Sequence, residues 1–204
     1  IRDFNDLGNP GIRLIHCDPT SSGAGQWSLL AIYGSELIKS EKRDGRRDEK
    51  AAQQLLSRVW KNVVATPESA RSARTQFERN EGDVLVTYEM EALQMKEKLL
   101  KEKKPPVEVV MPASTILCEH PVVIIDHRLN PAKYALVELF VRSLWDRSSQ
   151  EAWTRAGFRS MYEDLNGKFT PVQMPFKAAD FGGWAKAYTD IVDGVWKQKI
   201  QGGK

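Results

Sequence analysis

The chain has 204 residues, of which 41% are hydrophobic and 28% charged, as in ordinary soluble globular proteins. Its 30 Lys and Arg residues barely exceed its 27 Asp and Glu residues, and a net charge of +3 without a basic stripe gives no reason to expect a nucleic-acid partner. No apolar stretch approaches the roughly 20 residues that cross a membrane, and residues 1–4 show neither the basic nor the apolar region of a signal peptide. We therefore expect a globular protein without a transmembrane segment.

Strands and helices are expected to alternate along the first half of the sequence. Runs rich in apolar and β-branched residues predict strands at 12–16, 63–65 and 84–88. Apolar residues at helical spacing predict helices between them, at 27–38, at 48–59 and, after a capping segment at 66–69, up to Phe77.

The second half continues this pattern and then becomes mainly helical. The expected elements are a helix at 89–103, extended segments at 107–111, 116–117 and 122–125, helices at 134–146 and 149–156, and an amphipathic stretch up to Trp196. Alternating strands and helices predict an α/β fold with a largely parallel sheet.

The turn Ser21-Ser22-Gly23-Ala24-Gly25, here called the anion cradle, is the first candidate binding site. It joins a predicted strand to a predicted helix, where free N–H groups and the helix dipole attract negative charge. Gly23 allows the backbone to approach a ligand closely, and the Ser22 hydroxyl adds a donor. Such turns lie at the ligand-binding edge of an α/β sheet. The same residues are also consistent with an ordinary helix cap.

A second strand-to-helix turn follows at 66–71. Two helix starts that converge from one sheet edge could hold a tetrahedral anion between them. Arg71 would add a positive field or a direct contact, or else be an exposed helix charge. Tyr88 ends the third strand at this edge, where its hydroxyl could donate to a ligand, although a core aromatic is the alternative.

Several short segments occur in a specific order and spacing, at 4–7, 19–23, 27, 61–63, 69–71, 78–79, 82–93, 114–117, 119, 121 and 181–184. In this order they resemble the sulfate-type periplasmic solute-binding proteins of ABC transporters. The resemblance covers most of the chain.

The resemblance implies an α/β, bilobal periplasmic-binding-protein-like fold that holds an anion between its lobes, with a mostly parallel sheet in the second lobe. By position, the second lobe would be 8–111, and 112–204 would be the crossover and the helical part that returns to the first lobe. The early part of the first lobe would be missing from this sequence. The resemblance further implies a periplasmic or secreted location, an ABC-transporter permease as a possible partner, no cofactor and no enzymatic activity.

Carried over by position, the ligand-binding residues would be Ser22, Gly23, Ala24, Ala70 and Tyr88, with Arg71 beside them. They would bind sulfate, thiosulfate or molybdate through neutral donors, with the helix termini supplying partial positive charge. The sequence departs from the family where Ala24 replaces a Gly and Tyr88 replaces a Trp. A one-residue gap also leaves Ser69 as an alternative to Ala70.

A transition-metal site on the same fold is the alternative function. The tripeptides that combine suitable ligands are His16-Cys17-Asp18 and Cys118-Glu119-His120. Side chains alternate along a strand, so either the first and third residues of the first tripeptide or its cysteine alone would face one way. The two cysteines could instead form one disulfide. Hydrolysis is not expected, because Ser22 and a histidine lack a nucleophile elbow and a third partner.

Overall fold

The computed structural model describes residues 1–202. They divide into two compact units. The first unit contains residues 1–88, 110–118 and the chain from 172 onward, and the second contains 89–109 and 119–171. Within the described range, no helix is both long and apolar enough to cross a membrane.

A parallel sheet with the strand order β2-β1-β3 forms the centre of the first unit. β1 is Leu14–Ile15, β2 is Val63–Ala65 and β3 is Val84–Leu85. Both residues of β1 are fully buried, because the strand has a neighbour on each side and helices over its faces. Parallel neighbours need helical crossovers between them, which accounts for the alternation of strands and helices in the sequence.

Two helices connect β1 to β2. The first, α1 (Gly23–Asp44), is buried along most of its length and ends at Gly45, whose φ of 72° is left-handed. The second, α2 (Glu49–Lys61), begins at Asp48, whose carboxylate caps its first turn. The crossover from β2 to β3 is a single helix, α3 (Ala70–Glu78).

The larger core of the first unit lies where α1 and α2 pack against the sheet. Its members with no exposed side-chain surface are Leu14, Leu29, Leu30, Ile32, Ala52, Leu56, Val59 and Ala187. The C-terminal helix α7 (Trp184–Ala187) continues into a π-helical segment (Tyr188–Gln201) that also joins this core. There the rings of Trp60 and Trp196 meet edge to face, with centroids 5.1 Å apart.

A second, two-stranded parallel sheet also belongs to the first unit. It pairs β4 (Ser114–Ile116) with β5 (Met174–Phe176). Phe176 is 2% exposed and lies against α1 at Gly34, where a Cβ would be 2.6 Å from its ring. A glycine is therefore required for this close contact between helix and strand.

The second unit is helical in the described residues. It contains α4 (Glu89–Lys101), α5 (Pro131–Ser143) and α6 (Arg147–Arg155). Arg159 donates hydrogen bonds to both carboxylate oxygens of Glu89, at 2.7 and 2.8 Å, and so ties the segment after α6 to the start of α4. The units are defined by packing, whereas the lobes 8–111 and 112–204 are assigned by resemblance, so the lobe boundaries stay a prediction.

Some predicted elements differ from the structure. The strands predicted at 107–111 and 122–125 do not form, because neither run has a neighbouring strand among the described residues. The third strand ends at Leu85 rather than at 88. β5 is not predicted, because Pro175 at its centre is unusual in a strand.

Gly34→Ala is expected to lower the free energy of unfolding by about 1–2 kcal/mol, because the overlap with Phe176 outweighs the better helix propensity of Ala. Chemical denaturation would measure it. Gly167→Ala is the matched control, since a Cβ at Gly167 meets nothing within 4 Å. Equal stability of the two variants would contradict the close packing of α1 against β5.

Candidate functional site

The first turn of α1 leaves three backbone donors without an acceptor. Ser22 is the N-cap residue, and its hydroxyl makes no capping hydrogen bond. Its carbonyl accepts from Gln26 N–H at 3.1 Å, which is the first bond of the helix. Among residues 1–202, no acceptor faces the N–H groups of Gly23, Ala24 and Gly25. The cradle therefore has free donors at the positive end of a 22-residue helix.

Asp18 shapes the turn that leads into α1. Its carboxylate accepts hydrogen bonds from Thr20 N–H and from Thr20 Oγ1, both at 2.8 Å. Its carbonyl accepts from Ser22 N–H at 2.9 Å. Its own N–H donates to Pro67 O at 2.9 Å, which joins this turn to the one before α3. The carboxylate is thus occupied within the turn, and the two helix starts are linked through the backbone.

The start of α1 lies very close to the end of β1. A Cβ on Gly25 would be 2.6 Å from Cys17 O and 2.7 Å from Asp18 C. Real Cβ atoms do not approach backbone atoms so closely, so only glycine fits at this position. Gly25 therefore serves the packing of the cradle, which the sequence motif alone does not reveal.

The second helix start is arranged differently. The Ser69 hydroxyl caps α3 by accepting from Ser72 N–H at 3.2 Å. The Ala70 and Arg71 N–H groups have no acceptor in the described part of the chain. Since the Ser69 side chain already has a partner, Ala70 offers the free donor at this turn.

The predicted donors converge in a second, smaller core cluster. It contains Ala24 from α1, with Ala70 of α3 and Tyr88 after β3 packed against it. Tyr88 is half-buried, and burial, with weaker effects of Cys118 and Cys17, raises its pKa to about 12. Its hydroxyl is therefore protonated at neutral pH and able to donate. Three of the predicted site residues thus lie together.

Ser22 and Arg71 differ in their surroundings. Ser22 is 6% exposed and lies beside Cys17, whose thiol pKa is raised by burial. Arg71 is exposed and is not a member of the second cluster. Arg71 follows Ala70 in the first turn of α3, and its part in the site stays a prediction.

The metal alternative has no support in the structure. Among the described residues, no group of three or more His, Cys, Asp or Glu side chains could hold a metal ion. His16 is fully buried, with Nδ1 2.7 Å from Cys17 O and Nε2 2.8 Å from Ser28 Oγ, so both ring nitrogens have partners. No disulfide joins Cys17 and Cys118. Glu119 and His120 complete no ligand set with Cys118.

Thr87 is absent from the residues that the sequence predicts for the site. Its Oγ1 is buried and has no hydrogen-bond partner in residues 1–202. Thr87 stands between Val86, which packs against the larger core, and Tyr88, which packs against the smaller cluster. A threonine before the predicted Tyr88 is too common a pattern to signal this role.

Comparisons with known proteins agree with this fold. Residues 1–159 match the family described as bacterial extracellular solute-binding protein. The sulfate-binding protein of Salmonella typhimurium is 33% identical over 93% of this chain and 57% of its own length. That of Synechococcus elongatus is 30% identical over 98% of this chain and 56% of its own length. The thiosulfate-binding protein of Escherichia coli K12 is 30% identical over 90% of this chain and 54% of its own length.

A solved structure shows the same fold. The sulfate-binding protein SubI from Mycobacterium tuberculosis H37Rv matches with a TM-score of 0.76 and 30% identity, over 95% of this chain and 63% of that one. The predicted α/β fold, like that of periplasmic binding proteins, is confirmed. The chain belongs to the family of bacterial extracellular solute-binding proteins. It spans just over half the length of the curated relatives that it matches.

Burial of His16 should make stability depend on pH. Desolvation lowers its pKa from 6.5 to about 4, so the unfolded chain takes up a proton first as the pH falls. The contribution of the neutral His16 ring to the free energy of unfolding is complete above pH 6.5. It is lost as the pH falls from 6.5 to about 4. From pH 7 to 4.5, wild type should lose about 2–3 kcal/mol more unfolding free energy than His16→Gln. Denaturant titrations at both pH values would measure this, and equal losses would contradict it.

Proposed function

We propose that this chain captures a small tetrahedral oxyanion, sulfate or thiosulfate in the first place and molybdate as a further candidate, at the cradle and the start of α3. The donors are the Ser22 and Tyr88 hydroxyls and the N–H groups of Gly23, Ala24 and Ala70. The convergence of two helix starts and Tyr88 on one small cluster carries the proposal. The sulfate- and thiosulfate-binding relatives support the choice of ligand.

The chemistry of these donors suits a fully ionised anion. None of the five carries a formal charge, so attraction comes from the ends of two helix dipoles and from hydrogen bonds that need no rearrangement. Free N–H groups at a helix start are a common anion site. Arg71 lies in the first turn of α3 but is exposed, and its contribution is a long-range field that salt screens.

The biological role proposed is capture for transport. An extracytoplasmic receptor of this kind works in the periplasm or outside the cell and delivers its anion to an ABC-transporter permease. Neither catalysis nor a cofactor is part of this proposal, because the donors named bind an anion without a nucleophile and base among them. The family membership and the names of the relatives support this role.

Ser22→Ala should weaken sulfate binding about ten- to hundredfold, because one hydrogen bond to a charged ligand is lost. Calorimetry or an NMR titration up to millimolar sulfate would measure it. Ser35→Ala is the matched control, since Ser35 is also buried in α1 but donates to Ile32 O. Zinc is the competing ligand. Stabilisation by zinc alone, without any response to sulfate or thiosulfate, would contradict the proposal.

Thr87→Val tests whether the unpaired hydroxyl serves the ligand. Without anion, the free energy of unfolding of the variant should be about 1 kcal/mol higher than that of wild type, because a buried hydroxyl without a partner is removed. Sulfate binding should nevertheless weaken about tenfold. Thr154→Val is the control, since its hydroxyl donates to Gln150 O at 2.7 Å, and its loss should only destabilise. Unchanged affinity of Thr87→Val would exclude Thr87 from the donor set.

A further inference from the structure

His16 connects the end of β1 to the helix that carries the cradle, and the donor set proposed above does not use it. Its side chain is fully buried. On one side Nδ1 lies 2.7 Å from Cys17 O, at the entry to the cradle. On the other side Nε2 lies 2.8 Å from Ser28 Oγ, in the second turn of α1. One imidazole ring therefore contacts both elements that the cradle joins.

We propose that His16 is a positioning residue of the anion cradle. Its ring holds the Cys17 carbonyl and the Ser28 hydroxyl in place, and thereby sets the direction of the free N–H groups of Gly23, Ala24 and Gly25. The inference rests on the proposed anion-binding function and adds a residue that acts on the ligand only through the backbone.

The hydrogen-bond roles around the ring follow from its partners. A carbonyl oxygen can only accept, so Nδ1–H donates to Cys17 O. In the neutral ring, Nε2 is then an acceptor, and the single Ser28 hydroxyl proton can be donated to Nε2 at 2.8 Å or to Ala24 O at 2.7 Å. Both nitrogens of a fully buried ring thus have a polar atom within hydrogen-bond distance, which restricts the ring's orientation as well as its position.

The two contacts act on the backbone of the cradle. Cys17 O is the atom closest to a Cβ built on Gly25, so its position decides how near α1 can come to β1. Ser28 Oγ also lies 2.7 Å from Ala24 O and 3.1 Å from Gly25 O. A shift of either partner would therefore move the first turn of α1, which carries the free N–H groups of the cradle.

The surroundings of His16 give the ring little freedom. Trp60 of α2 meets it edge to face, with centroids 5.1 Å apart. The backbone N–H of His16 donates to Ala65 O of β2 at 3.2 Å. Among the described residues, Asp18 is the charged group that acts electrostatically on the His16 ring. Ser28, Trp60 and Ala65 do not titrate near neutral pH, so the position of the ring is set by packing and hydrogen bonds.

Variants at His16 can separate positioning from simple filling of space. Asn can keep the donor to Cys17 O, Gln can keep the acceptor for Ser28, and Leu keeps neither. His16→Leu should weaken sulfate binding about tenfold, whereas His16→Asn and His16→Gln should each lose about threefold. Ser40→Ala is the control, since Ser40 is fully buried at the far end of α1, and it should lower Tm without changing Kd.

Amide hydrogen exchange gives a readout that needs no ligand. Ser22 N–H and Gln26 N–H are bonded to Asp18 O and Ser22 O, and they report opening of the cradle. In His16→Leu both should exchange about tenfold faster than in Ser40→Ala. Where His16→Leu does not fold, Ser28→Ala removes one of the two contacts and should show an intermediate increase.

The outcomes separate this inference from the proposed function. Wild-type affinity in His16→Leu, or equal losses in the Leu, Asn and Gln variants, would overturn the role of His16. If wild type itself does not bind sulfate or thiosulfate, the proposed function fails, and exchange still decides the role of His16. Equal exchange rates at Ser22 and Gln26 in His16→Leu and Ser40→Ala would then overturn it.

Discussion

The first turn of α1 lies against the last residues of β1 with no room for a side chain at Gly25, where a Cβ would be 2.6 Å from Cys17 O. This contact decides where the helix starts relative to the sheet. At the same helix start the Ser22 hydroxyl is buried without capping the helix, and the first three N–H groups of α1 have no acceptor among the described residues. The rest of the candidate site is arranged around these donors.

An anion at this position would be held by partial charges rather than by a formal countercharge. Asp18 is the nearest acidic residue in the turn, and its carboxylate is engaged by Thr20. Tyr88 is protonated at neutral pH, and burial raises its pKa further, to about 12. The site therefore presents donors and keeps its negative group occupied. That arrangement suits an ion that stays fully charged when bound, since no proton has to be exchanged with the protein.

Local patterns in the sequence were sufficient for much of this fold. Strand 63–65 and the helices that follow the turns at 21–25 and 66–69 were predicted because turn, cap and periodicity are encoded within a few neighbouring residues. The strand at 122–125 was wrong, because an apolar run forms a strand only where a partner strand is available. The partners of His16 and the buried hydroxyl of Thr87 depend on contacts distant in sequence, and no local pattern contains them.

The hydrogen bonds from His16 N–H to Ala65 O and from Asp18 N–H to Pro67 O continue the pairing of β1 and β2 beyond the ends of both strands. Neighbouring strands lie about 4.8 Å apart, so the two chain segments that lead into α1 and α3 leave the sheet side by side. For the anion proposed above, discrimination by size would then depend on backbone geometry, which side-chain substitutions hardly alter.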